Sequence, residues 1–262
     1  MRDLRWWLGA RDRLCRLSPE GALGTLDEAA DFLRDRAMLT LTVDSWLPSL
    51  FQACHEEPYR PQSRGFGGWP RTKWRWGGQL GSRPDVITTR LHRGKLLYFA
   101  APLEPVLAAI CGNSAAKAAD GALGPDAARL MELLAGGPLL LEQIRAHGLS
   151  KEATRRARTS LERAGAIFTE EVRLAGREGG HRHSARLMRA DERFVSQSPP
   201  IAWEDAVTQL LVAAVRAAVV APVRDALRWF SLPVGKGTLA GAVQSGNLIQ
   251  PERGWVAFPQ PG

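Results

Sequence analysis

Between Ser150 and Met188 the hydrophobic period switches once, from that of a helix to that of a strand, and no other stretch limits the fold as tightly. The first half, SKEATRRARTSLERAGA, is polar and rich in arginine, with Ser150 placed to cap a helix and Gly165 to end it. Ala153, Ala157, Leu161 and Ala164 fall within about a quarter of the helical circumference and should face a core. Arg155, Arg158, Thr159, Glu162 and Arg163 are then expected to face outward. The second half alternates from Ile167 to Arg173, turns through the polar tip Gly176 to Arg182, and can return as a strand from Ser184 to Met188.

Two helices are expected just upstream. Pro125 suits a first helical turn, and Ala127, Leu130, Met131, Leu133 and Leu134 mark its core face before Gly136-Gly137-Pro138 stops it. Leu140 to His147 forms the next helix, closed by Gly148. Three helices followed by a hairpin resemble a winged helix, with Ser150 to Ala164 as recognition helix and Arg177, His181 and Arg182 on the wing. Outward arginines suit bidentate contact with guanine or phosphate, and a basic wing tip can reach phosphates or the minor groove. His181 and His183 lack the Cys or carboxylate neighbours of a metal site, so no metal and no cofactor is expected.

Charge supports the same partner. The net +8 is concentrated in two segments: residues 60–95 carry nine Lys/Arg against one Asp/Glu, and 150–189 carry ten against five. Cations gathered in this way attract polyanions by releasing condensed counterions, which points to double-stranded DNA. Arginines of a GC-rich genome, solvated and idle, are the plain alternative, weaker for the second segment because it also has the architecture. No apolar stretch reaches the roughly 18 residues of a membrane span, and Met1 leads into a charged helix, so a soluble, cytoplasmic or nucleoid-associated monomer with no membrane partner is expected. Cys15, Cys54 and Cys111 have no paired spacing and read as buried thiols.

Upstream of residue 120 the pattern is related. Arg2 to Arg16 is an amphipathic helix with Leu4, Trp7, Leu8 and Leu14 on one face, and Thr25-Leu-Asp-Glu28 is a capping box opening a helix to about Arg36. Met38 to Val43 alternates as a short strand, after which Asp44 is placed to cap a helix from Trp46 to His55. A loop from Pro58 to Pro70 precedes Arg71-Thr-Lys-Trp-Arg-Trp76, two tryptophans set among cations. Val86 to Leu91 and Lys95 to Phe99 form a hairpin across His92-Arg93-Gly94, and a helix from Pro102 to Cys111 links onward.

After Pro199-Pro200 a third group is expected: an almost wholly apolar helix from Trp203 to Val220, a second from Val223 to Phe230, a third from Val234 to Ser245, and a terminal hairpin pairing Leu248-Ile249 with Trp255 to Phe258. Gly235-Lys-Gly-Thr238 lacks the spacing of a phosphate-binding loop. The fold class is therefore mainly α with small β-hairpins, as three tandem winged-helix units at 1–120, 121–198 and 199–262.

With Leu47-Pro-Ser-Leu50 after a short extended segment, Trp74-Arg-Trp76 after a loop, and Ala226-Leu-Arg-Trp229 before the last helix, the order of parts resembles the AlkZ-related proteins, relatives of the AlkZ/YcaQ winged-helix DNA glycosylases. The resemblance implies winged helices packed to form a concave, basic face for DNA. Those glycosylases carry Gln-x-Gln or Gln-x-Asp where this chain has Thr42-Val43-Asp44, so the carboxylate is kept and the glutamine replaced. A DNA-binding protein linked to repair or regulation, without the standard glycosylase motif, is the first reading, with Arg71, Lys73, Trp74, Arg75, Trp76, Arg155, Arg158, Thr159 and Arg163 as contacts. The alternative is a monofunctional glycosylase in which Asp44 stabilises oxocarbenium charge, Thr42 holds water, and Trp69, Trp74 or Trp76 stacks on an extruded base. The third is a protein-interaction scaffold built on winged helices.

Overall fold

The computed structural model describes residues 2–55, 71–175, 181–194 and 201–260; Trp69 and Arg177 lie outside them. In chain order come α1 (Leu4–Leu14), α2 (Leu26–Arg36), β1 (Met38–Thr40), α3 (Leu50–Cys54), α4 (Arg71–Gly81), β2 (Val86–His92) and β3 (Lys95–Ala100). Next are α5 (Glu104–Ala119), α6 (Pro125–Leu134), β4 (Leu139–Leu140), α7 (Leu141–Ala146), α8 (Lys151–Ala164), β5 (Ile167–Ala175), β6 (His181–Arg189) and α9 (Ala190–Arg193). The chain continues with α10 (Trp203–Ala218), β7 (Val220–Pro222), α11 (Val223–Ala226), α12 (Lys236–Gln244) and β8 (Trp255–Ala257). It is a mainly helical α+β fold with small antiparallel sheets.

Two compact units emerge from this chain, one built from Met1–Thr88, Lys95–Glu104 and Val207–Gly262, the other from Thr89–Gly94 and Pro105–Ala206. In the first, the Thr25/Glu28 capping box forms as the spacing predicts: Glu28 N–H donates to Thr25 Oγ1 at 3.2 Å while Glu28 Oε2 accepts from Thr25 N–H at 3.3 Å. One face of α2 then buries Ala29, Ala30, Phe32 and Leu33 in a core shared with Leu39, Leu50, Phe51, Leu80 and Tyr98. Strand β3 lies between β1 and β2, with Leu39 opposite Tyr98. Helix α4 approaches this sheet closely because Gly77 and Gly81 share a face: a Cβ on Gly77 would stand 2.8 Å from Leu41 Cδ1, and Tyr98 Oη donates to the Gly77 carbonyl at 3.0 Å. A second core packs Trp7, Ala10 and Cys15 of the amino terminus against Val219, Val220 and Ala257.

Here the structure corrects several expected boundaries. Strand β1 stops at Thr40, and the next helix begins at Leu50 with Ser49, not Asp44, as its cap. Pro48 is the cause: a proline disfavours helix in the residue before it, and its carbonyl instead accepts from Thr40 N–H at 2.9 Å. Helix α10 ends two residues short of Val220 because Val219 takes φ 69, a left-handed conformation costly for a β-branched residue. The helix from Val223 runs only to Ala226. At the carboxyl end the expected pairing is kept only as a bridge of two hydrogen bonds between Ile249 and Ala257, and Trp255–Ala257 pairs in addition with Val220–Pro222.

In the second unit α6, α7 and α8 stand with a three-stranded sheet of order β4-β6-β5, in which β5 and β6 pair antiparallel from Ile167↔Arg189 to Ala175↔His181. Ser150 Oγ accepts from Ala153 N–H at 3.1 Å, and Gly165 ends the helix at φ 76. Gly165 is fixed by space as well as angle, since a Cβ there would stand 2.8 Å from Leu91 Cδ2. Among the described residues no helix is long and apolar enough to cross a membrane. Cys15, Cys54 and Cys111 are all buried free thiols.

Candidate functional site: the Asp44 loop and the basic helix α8

Thr42, Val43 and Asp44 ride on a loop whose base is closed by hydrogen bonds to main-chain carbonyls. Thr40 Oγ1 donates to the carbonyls of Thr42 and Pro48, at 3.0 and 3.2 Å, and Phe51 N–H donates to the Leu41 carbonyl at 3.1 Å. Trp46 holds the far side. Its N–H donates to Asp225 Oδ2 at 2.8 Å, its carbonyl accepts from Arg11 at 3.1 Å, and its ring meets Trp255 edge to face at 5.1 Å. The Arg11 guanidinium also lies 4.6 Å from the centre of the Trp46 ring. Arg11 is itself buried, and desolvation lowers its pKa. Asp225 Oδ2 accepts a second bond, 2.8 Å from Trp229 Nε1, whose ring is fully buried.

Within this frame the Asp44 carboxylate is only 11% exposed and is ion-paired with Lys95 Nζ at 2.5 Å. Lys95, the first residue of β3, is 54% exposed. The partners are therefore unequal: a carboxylate fixed on a pinned loop, and an ammonium on a flexible four-carbon stem whose side chain is half exposed. Val43, beside them, is an exposed large apolar side chain.

Arg71, Lys73, Trp74, Arg75 and Trp76 occupy the first half of α4. The side chains of Arg71, Lys73 and Trp74 lie outside the described residues; Arg75 is exposed, and Trp76 is partly buried against the core that contains Leu80 and Tyr98.

On α8 the core face is rotated from the expected one. Thr154, Ala157, Leu161 and Glu162 are buried, so the outward placement of Glu162 is corrected. The physical reason is its partners: Glu162 accepts from Arg158 Nε at 2.8 Å and from Thr169 Oγ1 at 2.5 Å, and it pairs with Arg90 Nε at 3.4 Å. Two guanidiniums and a hydroxyl make burial of that carboxylate tolerable. Arg158 is thereby drawn half inward, at 27% exposure. Arg155 and Arg163 remain exposed, as does Thr159, whose hydroxyl donates to the Arg155 carbonyl. Arg155 holds Glu152 at 2.6 Å and Arg156 holds Asp126 at 3.0 Å, both as surface pairs. The stem of Arg163 runs beside Gly94 of the β2–β3 turn, where a Cβ would stand 3.1 Å from it. On the ribbon His183 pairs with Glu171 at 2.5 Å; His181 and Arg182 belong to β6, their side chains outside the described residues.

Lys95, Trp46, Asp225 and Arg11 escape a reading of the sequence. Asp225 stands immediately before the Ala226-Leu-Arg-Trp229 stretch that carries part of the family resemblance, which is the one signal that could have found it.

No family model matches the chain, and no curated protein matches it. Among solved structures it is similar to the DNA glycosylase AlkZ of Streptomyces sahachiroi, with a TM-score of 0.52 and 14% identity over 98% of this chain and 70% of that one. The likeness is one of architecture, and it agrees with the resemblance carried by the sequence: this chain has the fold of the AlkZ DNA glycosylase.

Proposed function

We propose that the protein binds double-stranded DNA in a repair-related role and does not itself hydrolyse the glycosidic bond. The observation that carries the proposal is the exposed cationic face of α8, with Arg155 70% and Arg156 59% exposed, in a chain of AlkZ fold. Surface ion pairs such as Arg155–Glu152 are screened by solvent and contribute little, so a DNA phosphate can take over the guanidinium at little cost. Arg158, bound to a buried carboxylate, is less free for that role. The three winged-helix units of this reading are residues 1–120, 121–198 and 199–262, with Lys73, Arg71 and the ribbon tip as further phosphate contacts.

Hydrolysis is disfavoured by the residue two positions before Asp44. A glutamine that would help hold water is replaced by Thr42. One observation favours the second reading, a monofunctional glycosylase: Asp44 is not occupied in capping a helix and is held in a fixed place by the loop. Incubation with alkylated duplex DNA separates the two. Binding without release of bases is the expected result; release that is abolished by Asp44→Asn would establish the glycosylase instead.

A further inference from the structure

We infer that Lys95 is a DNA-phosphate contact held in reserve by Asp44, the pair forming an electrostatic latch that duplex DNA opens. The inference rests on the DNA-binding reading and adds to it a residue, a competitor for that residue, and a change of state on binding.

The two partners of the pair differ in freedom. Asp44 cannot follow an approaching ligand, because Thr40, Phe51, Arg11 and Asp225 hold its loop on both sides. Lys95 can, because its four-carbon stem is flexible and its side chain has the greater exposure, 54% against 11%. It follows the Arg93-Gly94 turn, whose positive φ values of 53° and 80° fix the backbone direction at the start of β3. Lys95 closes the segment with nine cations against one acid, so a polyanion drawn to that segment meets this ammonium with its counterion already in place. Exchange of one carboxylate for one phosphate keeps the lysine paired while releasing a counterion from the DNA, which supplies the driving force.

The test is the salt dependence of binding of the full chain to a 20-base-pair duplex, for the parent, Lys95→Met and Asp44→Asn. If Lys95 moves to phosphate, Lys95→Met weakens binding and flattens the slope of log K against log salt by about 0.9, one phosphate contact. Asp44→Asn then tightens binding about two- to fivefold with the parent's slope, since the contact is unchanged and only the latch is lost. If Lys95 stays on Asp44 in the complex, Lys95→Met leaves the slope unaltered and Asp44→Asn steepens it by about 0.9; that outcome overturns the latch while leaving DNA binding intact. A parent that does not bind the duplex overturns the DNA-binding reading, and the latch with it. Should Lys95→Met fail to fold, the slope of Asp44→Asn alone decides between the two arrangements.

Discussion

Asp225 holds the backbone of Trp46 at 2.8 Å across 179 positions of sequence, and that bond, together with the Trp46–Trp255 ring contact, ties the Asp44 loop to the carboxyl-terminal part of the chain. The same oxygen accepts from the buried indole of Trp229. Replacing Asp225 with Ala removes the acceptor that the two donors share, each charge-assisted bond contributing about 1.5–3 kcal/mol. A loss of roughly 3 kcal/mol is expected from denaturant unfolding, and Asp225→Asn, which keeps an acceptor, should lose less than half of it. Equal losses in the two variants would show that the contact does not anchor the loop.

The cluster around Glu162 makes a second expectation. Glu162→Ala leaves Arg90 and Arg158 facing one another beside Thr169. A buried pair broken from one side costs about 3–5 kcal/mol, but Arg90 and Arg158 are 42% and 27% exposed and keep part of their hydration, so about 2 kcal/mol is expected. Thermal unfolding of Glu162→Ala and Glu162→Gln measures it, with the glutamine variant less affected.

Burial raises the thiol pKa of Cys15 to about 11 and that of Cys111 to about 12. The unfolded thiols ionise near 9 and the native ones do not, so the native state binds more protons above that pH. Their contribution is complete below about pH 9 and is lost as pH rises toward 11 and 12. Stability should therefore fall across this window, and Cys15→Ala should flatten the fall; an identical pH profile in the variant would contradict it. Both thiols should also resist alkylation in the native protein at pH 8.

Most of the helices could be read from the sequence, because their signals are local. The Thr25/Glu28 box, the Ser150 cap and the left-handed Gly165 each act within a single turn and were legible. What could not be read depends on contacts distant in sequence. Asp44 has the composition and spacing of a helix cap, yet Pro48 and the pairing of Thr40 with Ser49 keep the chain extended. Glu162 falls on the polar side of the helical wheel and is buried because Arg90, 72 positions earlier, comes to meet it. Lys95 had no distinguishing mark within its charged segment; only the fold brings it to Asp44.

Whether this chain grips duplex DNA through α8 is decided by the affinity of the parent and of Arg155→Ala/Arg163→Ala for duplex DNA between about 50 and 200 mM salt. The parent should lose affinity steeply with salt, and the double variant should bind more weakly with a slope flatter by about 1.8, two phosphate contacts. Equal affinity and equal slope in the two proteins would contradict it.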